Sequence, residues 1–202
     1  MFVTFEGCEG VGKSTQLNML KDYLCRTGQE AVFVREPGST RISERIRTVI
    51  LDPALTEMTA ETEALLYAAA RAQLVSEVIL PALSAGKTVI CDRYVDSSVA
   101  YQGYARGLGA DMIRRINSYA LENAVPDVTV FIDLRPSASF RSVRREDRLE
   151  REAEDFHNRV YDGYIAQART SNGRFVLIKP EKDKFETQRK IIEALREKGA
   201  IR

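Results

Sequence analysis

The stretch Gly7-Cys8-Glu9-Gly10-Val11-Gly12-Lys13-Ser14, continued by Thr15, constrains what this chain can fold into more than any other. It fits the pattern G-x-x-x-x-G-K-[ST] at every fixed position, and its flanks fit as well. Phe2-Val3-Thr4-Phe5 is a β-branched and aromatic run that reads as a buried strand, while Leu17, Leu20 and Leu24 recur at helical spacing after the loop. A strand, a glycine loop and a helix follow in the required order. Glycines at 7, 10 and 12 let backbone N–H groups converge on an anion, and the helix starting near Lys13 adds its positive dipole end. Gly7 to Thr15 is therefore the nucleotide-binding stretch, in which Lys13 reaches the β/γ-phosphates and Ser14 a Mg²⁺ ion.

A chain of 202 residues with 44% hydrophobic content can bury one sizeable core, so a single domain spanning 1–202 is expected. Its formal net charge of +1 argues against a general nucleic-acid or membrane-surface binder. No apolar run approaches a membrane span, and the first strand begins without a signal peptide, so a cytoplasmic protein is expected. Cys8, Cys25 and Cys91 are far apart and read as reduced thiols, with Cys8 a small tolerated side chain inside the loop. His157 falls in a charged helical stretch and is expected to be exposed and non-catalytic. No cluster of protein metal ligands is visible.

Further strands are read at Ala31–Val34, Thr88–Cys91, Val128–Ile132 and Phe175–Ile178. Helical patterns lie between them: one with Ile42, Ile46, Val49 and Ile50, a long one from about Thr59 to Ser84 with Pro81 near its end, and another from Asp111 to Asn123. Two more run from Glu150 to Thr170 and from Phe185 to Lys198. This alternation means an α/β fold, a five-stranded parallel sheet covered by helices on both faces.

Ligands of such sheets bind beyond the carboxyl ends of the strands. There the chain places Arg35-Glu36-Pro37-Gly38-Ser39-Thr40 after strand two and Asp92-Arg93-Tyr94 after strand three. Arg35 and Arg93 suit bidentate contact with phosphate, and Asp92 reads as a second-sphere magnesium carboxylate. Arg141, Arg144, Arg145 and Arg148 share one helical face, an arrangement that costs roughly 0.2–0.5 kcal/mol per like-charged pair. A solvated face partly neutralised by Glu146, Asp147 and Glu150 is one reading. The other is an arginine lid, at about 141–151, that closes over polyphosphate and excludes water from phosphoryl transfer. Arg144, Arg145 and Arg148 are not expected to find partners within the protein all at once.

Together these blocks resemble thymidylate kinases of the bacterial type, which are P-loop nucleoside monophosphate kinases. The carrying residues are Phe5 to Thr15; Arg35-Glu36-Pro37-Gly38-Ser39-Thr40; Leu65-Leu66-Tyr67-Ala68-Ala69-Ala70-Arg71; Asp92-Arg93-Tyr94 through Ser97-Ser98; Ala100-Tyr101-Gln102-Gly103; and Asp147-Arg148-Leu149-Glu150. The resemblance runs from Met1 to about Ile178. The block from Asp92 to Gly103 is its most specific piece. Tyr67 departs from the phenylalanine usual there, and the lid is short.

The resemblance implies the three-layer P-loop NTPase fold and transfer of the γ-phosphoryl group of ATP to thymidine monophosphate, with Mg²⁺, in a cytoplasmic homodimer. Lys13, Arg93, Glu9, Arg144 and Arg148 are the catalytic residues it implies, with Ser14, Glu9 and Asp92 at the metal. Arg35 and Arg93 then hold the acceptor phosphate, Tyr67 stacks on thymine, and Arg71 and Gln102 contact its polar edge with Ser98 beside it. Tyr101 fills the place of a ribose 2′-hydroxyl, and Glu9 sits near the sugar. A phosphate monoester, with its second pKa near ~6, needs no general base. Catalysis is then positioning and charge stabilisation, which suits a chain with many arginines and no histidine in its motifs. A deoxynucleoside kinase is the rival enzyme; it needs a carboxylate base for a neutral hydroxyl, and Glu36 is the residue available. A nucleotide-dependent switch is the rival from another class, and it lacks an N-K-x-D motif here.

Overall fold

The computed structural model describes residues 1–139 and 147–202. Five strands, β1 (Phe2–Glu6), β2 (Ala31–Arg35), β3 (Thr88–Asp92), β4 (Val128–Ile132) and β5 (Phe175–Ile178), pair in parallel in the order β2-β3-β1-β4-β5. Central β1 and β4 are buried throughout, whereas the edge strands β2 and β5 are partly open. That difference follows their composition: a parallel strand covered on both faces must be apolar along its whole length.

Alternation along β1 divides the core. Val3 and Phe5 face α1 (Lys13–Arg26) and α10 (Lys184–Glu197), packing with Leu17, Leu20, Leu24, Ile191 and Leu195. Phe2 faces the other side, where Leu74, Val75, Ile79, Val89 and Tyr94 close a second cluster. A third cluster joins Cys8 and Val11 to Tyr101, Phe131, Phe156 and Tyr164. It anchors the loop after β1 by two of its own side chains. Each such buried side chain contributes about 1.5–3 kcal/mol of transfer free energy.

The remaining helices are α2 (Arg41–Leu51), α3 (Ala60–Leu74), α4 (Leu80–Ser84), α5 (Val95–Ser98), α6 (Ala110–Ile116), α7 (Ser118–Asn123), α8 (Pro136–Ser139) and α9 (Glu154–Arg169). Threonines start two of them: Thr40 Oγ1 accepts from Ser43 N–H and Thr59 Oγ1 from Thr62 N–H. The long helix expected at 59–84 is continuous but changes pitch, with a π-helical turn, Val75–Ile79, between α3 and α4. The wider turn comes just before Pro81, which has no N–H for the helical ladder. This stretch also corrects the expectation about membrane spans, because Ala60–Ser84 is long and apolar enough to cross one by length and composition. Here it covers the sheet, with Leu74, Val75 and Ile79 in the core and a buried Arg71 ion pair midway.

Three other boundaries differ from expectation. The pattern at 111–123 forms two helices because Asn117 intervenes: its amide donates to Ile113 O at 2.8 Å and its carbonyl accepts from Arg71 at 2.5 Å. The helix expected from Glu150 starts at Glu154, since Asp147 Oδ1 takes the Glu150 N–H at 2.8 Å and holds a turn there. Finally, α5 continues into a π-helical stretch, Val99–Ala105, that periodicity did not announce. Helix α9 packs on it through Gly163, where a Cβ would come within 3.0 Å of Ala100 Cα and of the Tyr104 ring.

Candidate active site

The loop from Gly7 to Gly12 joins the end of β1 to the start of α1 at the point where strand order reverses, between β3 and β4. Its shape depends on glycine: Gly10 and Gly12 adopt φ of 73° and 89°, which side-chain-bearing residues rarely take. Cys8 and Val11 point into the core. Burial pushes the Cys8 thiol up to about 12, so it is inert packing, as the sequence implied. Glu9, Lys13 and Ser14 line the cavity beyond the strand ends, and Thr15 follows them as an exposed residue of α1.

Neighbouring strands bring the rest. Arg35, Asp92 and Phe5 share one register line across β2, β3 and β1, so residues far apart in sequence reach the same edge. Lys13 Nζ donates to Asp92 Oδ1 at 2.5 Å. Arg93, held at a left-handed φ of 67°, donates to Gly7 O at 2.9 Å, Ser97 Oγ at 3.2 Å and Glu9 Oε1 at 2.6 Å. Burial opposes both charges of the Arg93–Glu9 pair. Even so, each partner holds the other ionised: the glutamate pKa is below its ordinary value and the arginine pKa well above. Tyr101 adds a hydrogen bond from its hydroxyl to Glu9 at 2.8 Å and lies beneath the Arg93 guanidinium, 5.2 Å from the ring centroid.

Beneath this layer sits Glu6, which sequence reasoning did not single out. Its carboxylate accepts from Tyr94 N–H at 2.7 Å, Ser97 Oγ at 2.6 Å and Tyr164 Oη at 2.8 Å. Burial, and then the charge of Asp96, push it up to about 7, while Arg93 pulls the other way. The available signal was an acid ending an otherwise apolar strand.

At the far end of the cavity stand Tyr67 and Arg71 of α3, Ser98 of α5 and Gln102 of the π-helical stretch. Arg71 is wholly buried and almost fully engaged. It donates to Glu36 Oε2 through Nε at 2.7 Å, to Asn117 Oδ1 at 2.5 Å, and to Tyr94 O and Ser98 Oγ at 3.1 Å each. Burial pushes the Glu36 carboxyl up to about 7 and Arg71 works against it. A carboxylate committed to that pair is poorly placed as the base a deoxynucleoside kinase needs. Gln102 Nε2 donates to the buried Glu63 at 2.8 Å, and Glu63 also takes Arg106 at 3.2 Å and Arg148.

The structure thus brings Glu9, Lys13, Ser14, Arg35, Tyr67, Arg71, Asp92, Arg93, Ser98, Tyr101 and Gln102 to one cavity. Arg47, Glu36 and Asp147 line it as well and were not among the expected ligand residues. Arg35 Nη2 donates to both oxygens of Glu44, at 2.9 and 3.0 Å. Arg148, one of three arginines not expected to find partners all at once, has Glu63 and Ile50 O, the latter at 3.2 Å. Arg141, Arg144, Arg145 and Glu146 lie outside the described residues. His157 is buried on α9 beside Phe156, not exposed, and near enough to Glu9 to favour its charged form. The helix packs its charged-looking sequence against the π-helical stretch, which periodicity could not reveal.

Residues 5–191 match the family model described as thymidylate kinase. The chain is 44% identical over 197 residues to a thymidylate kinase of Thermoanaerobacter sp., covering 96% of this chain and 97% of that one. It is 43% identical over 209 residues to one of Bacillus pumilus, covering 100% and 99%. Its structure is similar to that of a thymidylate kinase from Ehrlichia chaffeensis, with TM-score 0.79, 31% identity, and 97% and 98% of the two chains covered.

Proposed function

We propose a division of labour within the cavity that starts from one premise: this chain belongs to the thymidylate kinase family and transfers the γ-phosphoryl group of ATP to thymidine monophosphate, giving the diphosphate for dTTP synthesis. Backbone N–H groups of Gly7 to Ser14 cradle the donor phosphates, and Lys13 stabilises charge on the transferring group. Arg93 and Arg35 hold the acceptor phosphate. Glu9 keeps Arg93 in place and lies beside the sugar, with Tyr101 packed where a 2′-hydroxyl would go. Tyr67 stacks on thymine, and Ser98, Arg71 and Gln102 face its polar edge. Arg144 and Arg148 stabilise charge on the transferring phosphoryl group.

The arrangement suits Mg²⁺. Among the described residues no group of three or more His, Cys, Asp or Glu could hold a metal, yet Ser14 and Asp92 offer hard oxygens at one edge. Asp92 gives Oδ1 to Lys13, and Oδ2 accepts no hydrogen bond among the described residues. One or two protein oxygens plus phosphate oxygens are what Mg²⁺ commonly uses. Ser14 and Asp92 would hold it, with Glu9 nearby, and bound there it would neutralise charge on the phosphates.

One observation carries this reading: the phosphate loop and the Tyr67–Gln102 end open into the same cavity. Substituting Tyr67 by Ala tests it, with KM for thymidine monophosphate rising about tenfold or more and KM for ATP unchanged. Equal rises in both would refute the division. The exposed apolar residues Ile42 and Val49 of α2, Leu65 of α3 and Tyr119 of α7 support a homodimer face. Sedimentation velocity on Leu65→Glu checks it, a monomer being expected. A single domain spanning 1–202 and a cytoplasmic site are part of the same reading.

A further inference from the structure

Glu63, Tyr67 and Arg71 lie four residues apart on α3 and so share one face of that helix. Tyr67 and Arg71 reach the cavity; Glu63 stands one layer behind it, fully buried. Every hydrogen-bond partner of the Glu63 carboxylate among the described residues is a donor. Oε1 accepts from Gln102 Nε2 at 2.8 Å and Arg106 Nε at 3.3 Å, and Oε2 accepts from Arg106 Nη2 at 3.2 Å and from Arg148. Guanidinium N–H groups, which can only donate, face both oxygens, so each oxygen of this buried carboxylate is used as an acceptor.

The consequence falls on Gln102. A glutamine amide can ordinarily turn over, offering either its carbonyl or its NH₂ to a ligand. Here the NH₂ end is committed to an acceptor that cannot reverse its role, so the carbonyl oxygen is the end left for the cavity. We infer that Glu63 is the positioning residue that sets pyrimidine specificity: it locks Gln102 as an acceptor. An acceptor fits a ring N3–H, as in thymine and uracil, and opposes the N3 lone pair of a 4-aminopyrimidine. The inference rests on the assignment of Gln102 to the base edge.

The test compares kcat/KM for thymidine monophosphate and 5-methyl-2′-deoxycytidine monophosphate, which differ only at N3 and the 4-substituent. Wild type should prefer the former by at least ~10²-fold, as sites built around a specific hydrogen bond do. Glu63→Gln can accept or donate, so the preference should narrow at least ~10-fold, chiefly through a lower KM for the 4-amino nucleotide. Arg106→Gln removes a neighbour of Glu63 but not its acceptor character, and should leave the ratio as in wild type. A ratio unchanged in Glu63→Gln overturns the inference, as does equal relaxation in Arg106→Gln, which would mean general loosening. Gln102→Leu separates the premise from the inference. If it leaves the ratio intact, Gln102 does not read the base and both fall; if it relaxes the ratio while Glu63→Gln does not, only the lock fails. Should Glu63→Gln not fold, as judged by circular dichroism, the wild-type ratio decides, since a free amide would accept both bases and a preference below ~10-fold overturns the lock.

Discussion

The two ends of the cavity are built on opposite plans. At the phosphate end the binding groups belong to the backbone of one contiguous stretch, Gly7 to Ser14, joined by side chains at the ends of β2 and β3. At the base end they are side chains drawn from α3, α5 and the π-helical stretch 99–105, braced from behind by Asn117 and by the buried Arg71–Glu36 ion pair at 2.6 Å. A phosphate needs many convergent donors, which a glycine loop supplies without burying charge. A neutral ring needs a few donors and acceptors at fixed orientation, which only an over-determined buried network provides. Damage at the base end should therefore register in stability, and damage at the phosphate end in turnover.

The largest expected effect follows from Arg71→Met. It strands the Glu36 carboxylate, which has no partner at Oε1 among the described residues, and leaves Asn117 and Ser98 short of a donor. Removing one member of a buried pair costs about 3–5 kcal/mol, which for a chain of this size lowers Tm by roughly 6–20 °C. Adding Glu36→Gln to that variant should recover a substantial part, since the uncompensated charge is gone. A thermal scan in which Arg71→Met matches wild type would break the contrast outright. Lys13→Met is the converse. It should cost ~10²-fold or more in kcat. Asp92 loses its partner but remains a quarter open to solvent, so Tm should shift by only a few degrees.

The same contrast explains what could be read in advance. All five strands, the phosphate loop and the Arg35 and Arg93 positions were legible because each is a local pattern: apolar runs for the strands, fixed spacing for the loop, and strand ends for the arginines. Glu63 and Glu6 were not, because their roles exist only once α3 faces the 99–105 stretch and β1 faces α9. Asn117 is a similar case: its break between α6 and α7 depends on an arginine 46 residues away. The burial of His157 was hidden by the charges around it, since helix α9 presents one apolar stripe beneath an otherwise polar sequence.

Tyr101 belongs to both ends, which makes it a finer probe. Its ring packs against Phe156 and Tyr164 at centroid distances of 6.2 and 6.5 Å, and its hydroxyl holds Glu9. Tyr101→Ala should narrow the preference for thymidine over ribothymidine monophosphate about tenfold, by opening the place of a 2′-hydroxyl. Tyr101→Phe keeps the ring and loses only the bond to Glu9. That variant should keep the sugar preference and lose kcat a few-fold. If both substrates decline equally in Tyr101→Ala, the ring is packing and takes no part in discrimination.

The smallest effect is a pH dependence of stability, and it tests the layer that underlies both ends. Glu6 has a folded pKa raised from the ordinary 4.5 to about 7, by burial first and the Asp96 charge second. Between those values the folded protein holds a proton that the unfolded chain has released. Its contribution is therefore full below about 4.5 and is lost as pH rises towards 7, so Tm should decline across that window. Glu36, raised to about 7 by burial, acts in the same direction. Glu6→Gln imitates the protonated carboxyl and cannot titrate, so its Tm should fall less between pH 5 and 7 than that of wild type, the part due to Glu36 remaining. Combining it with Glu36→Gln should flatten the profile further. Identical slopes in wild type and Glu6→Gln would mean that Arg93 already holds Glu6 ionised at pH 5, and that the carboxylate beneath the phosphate end carries charge throughout the working range.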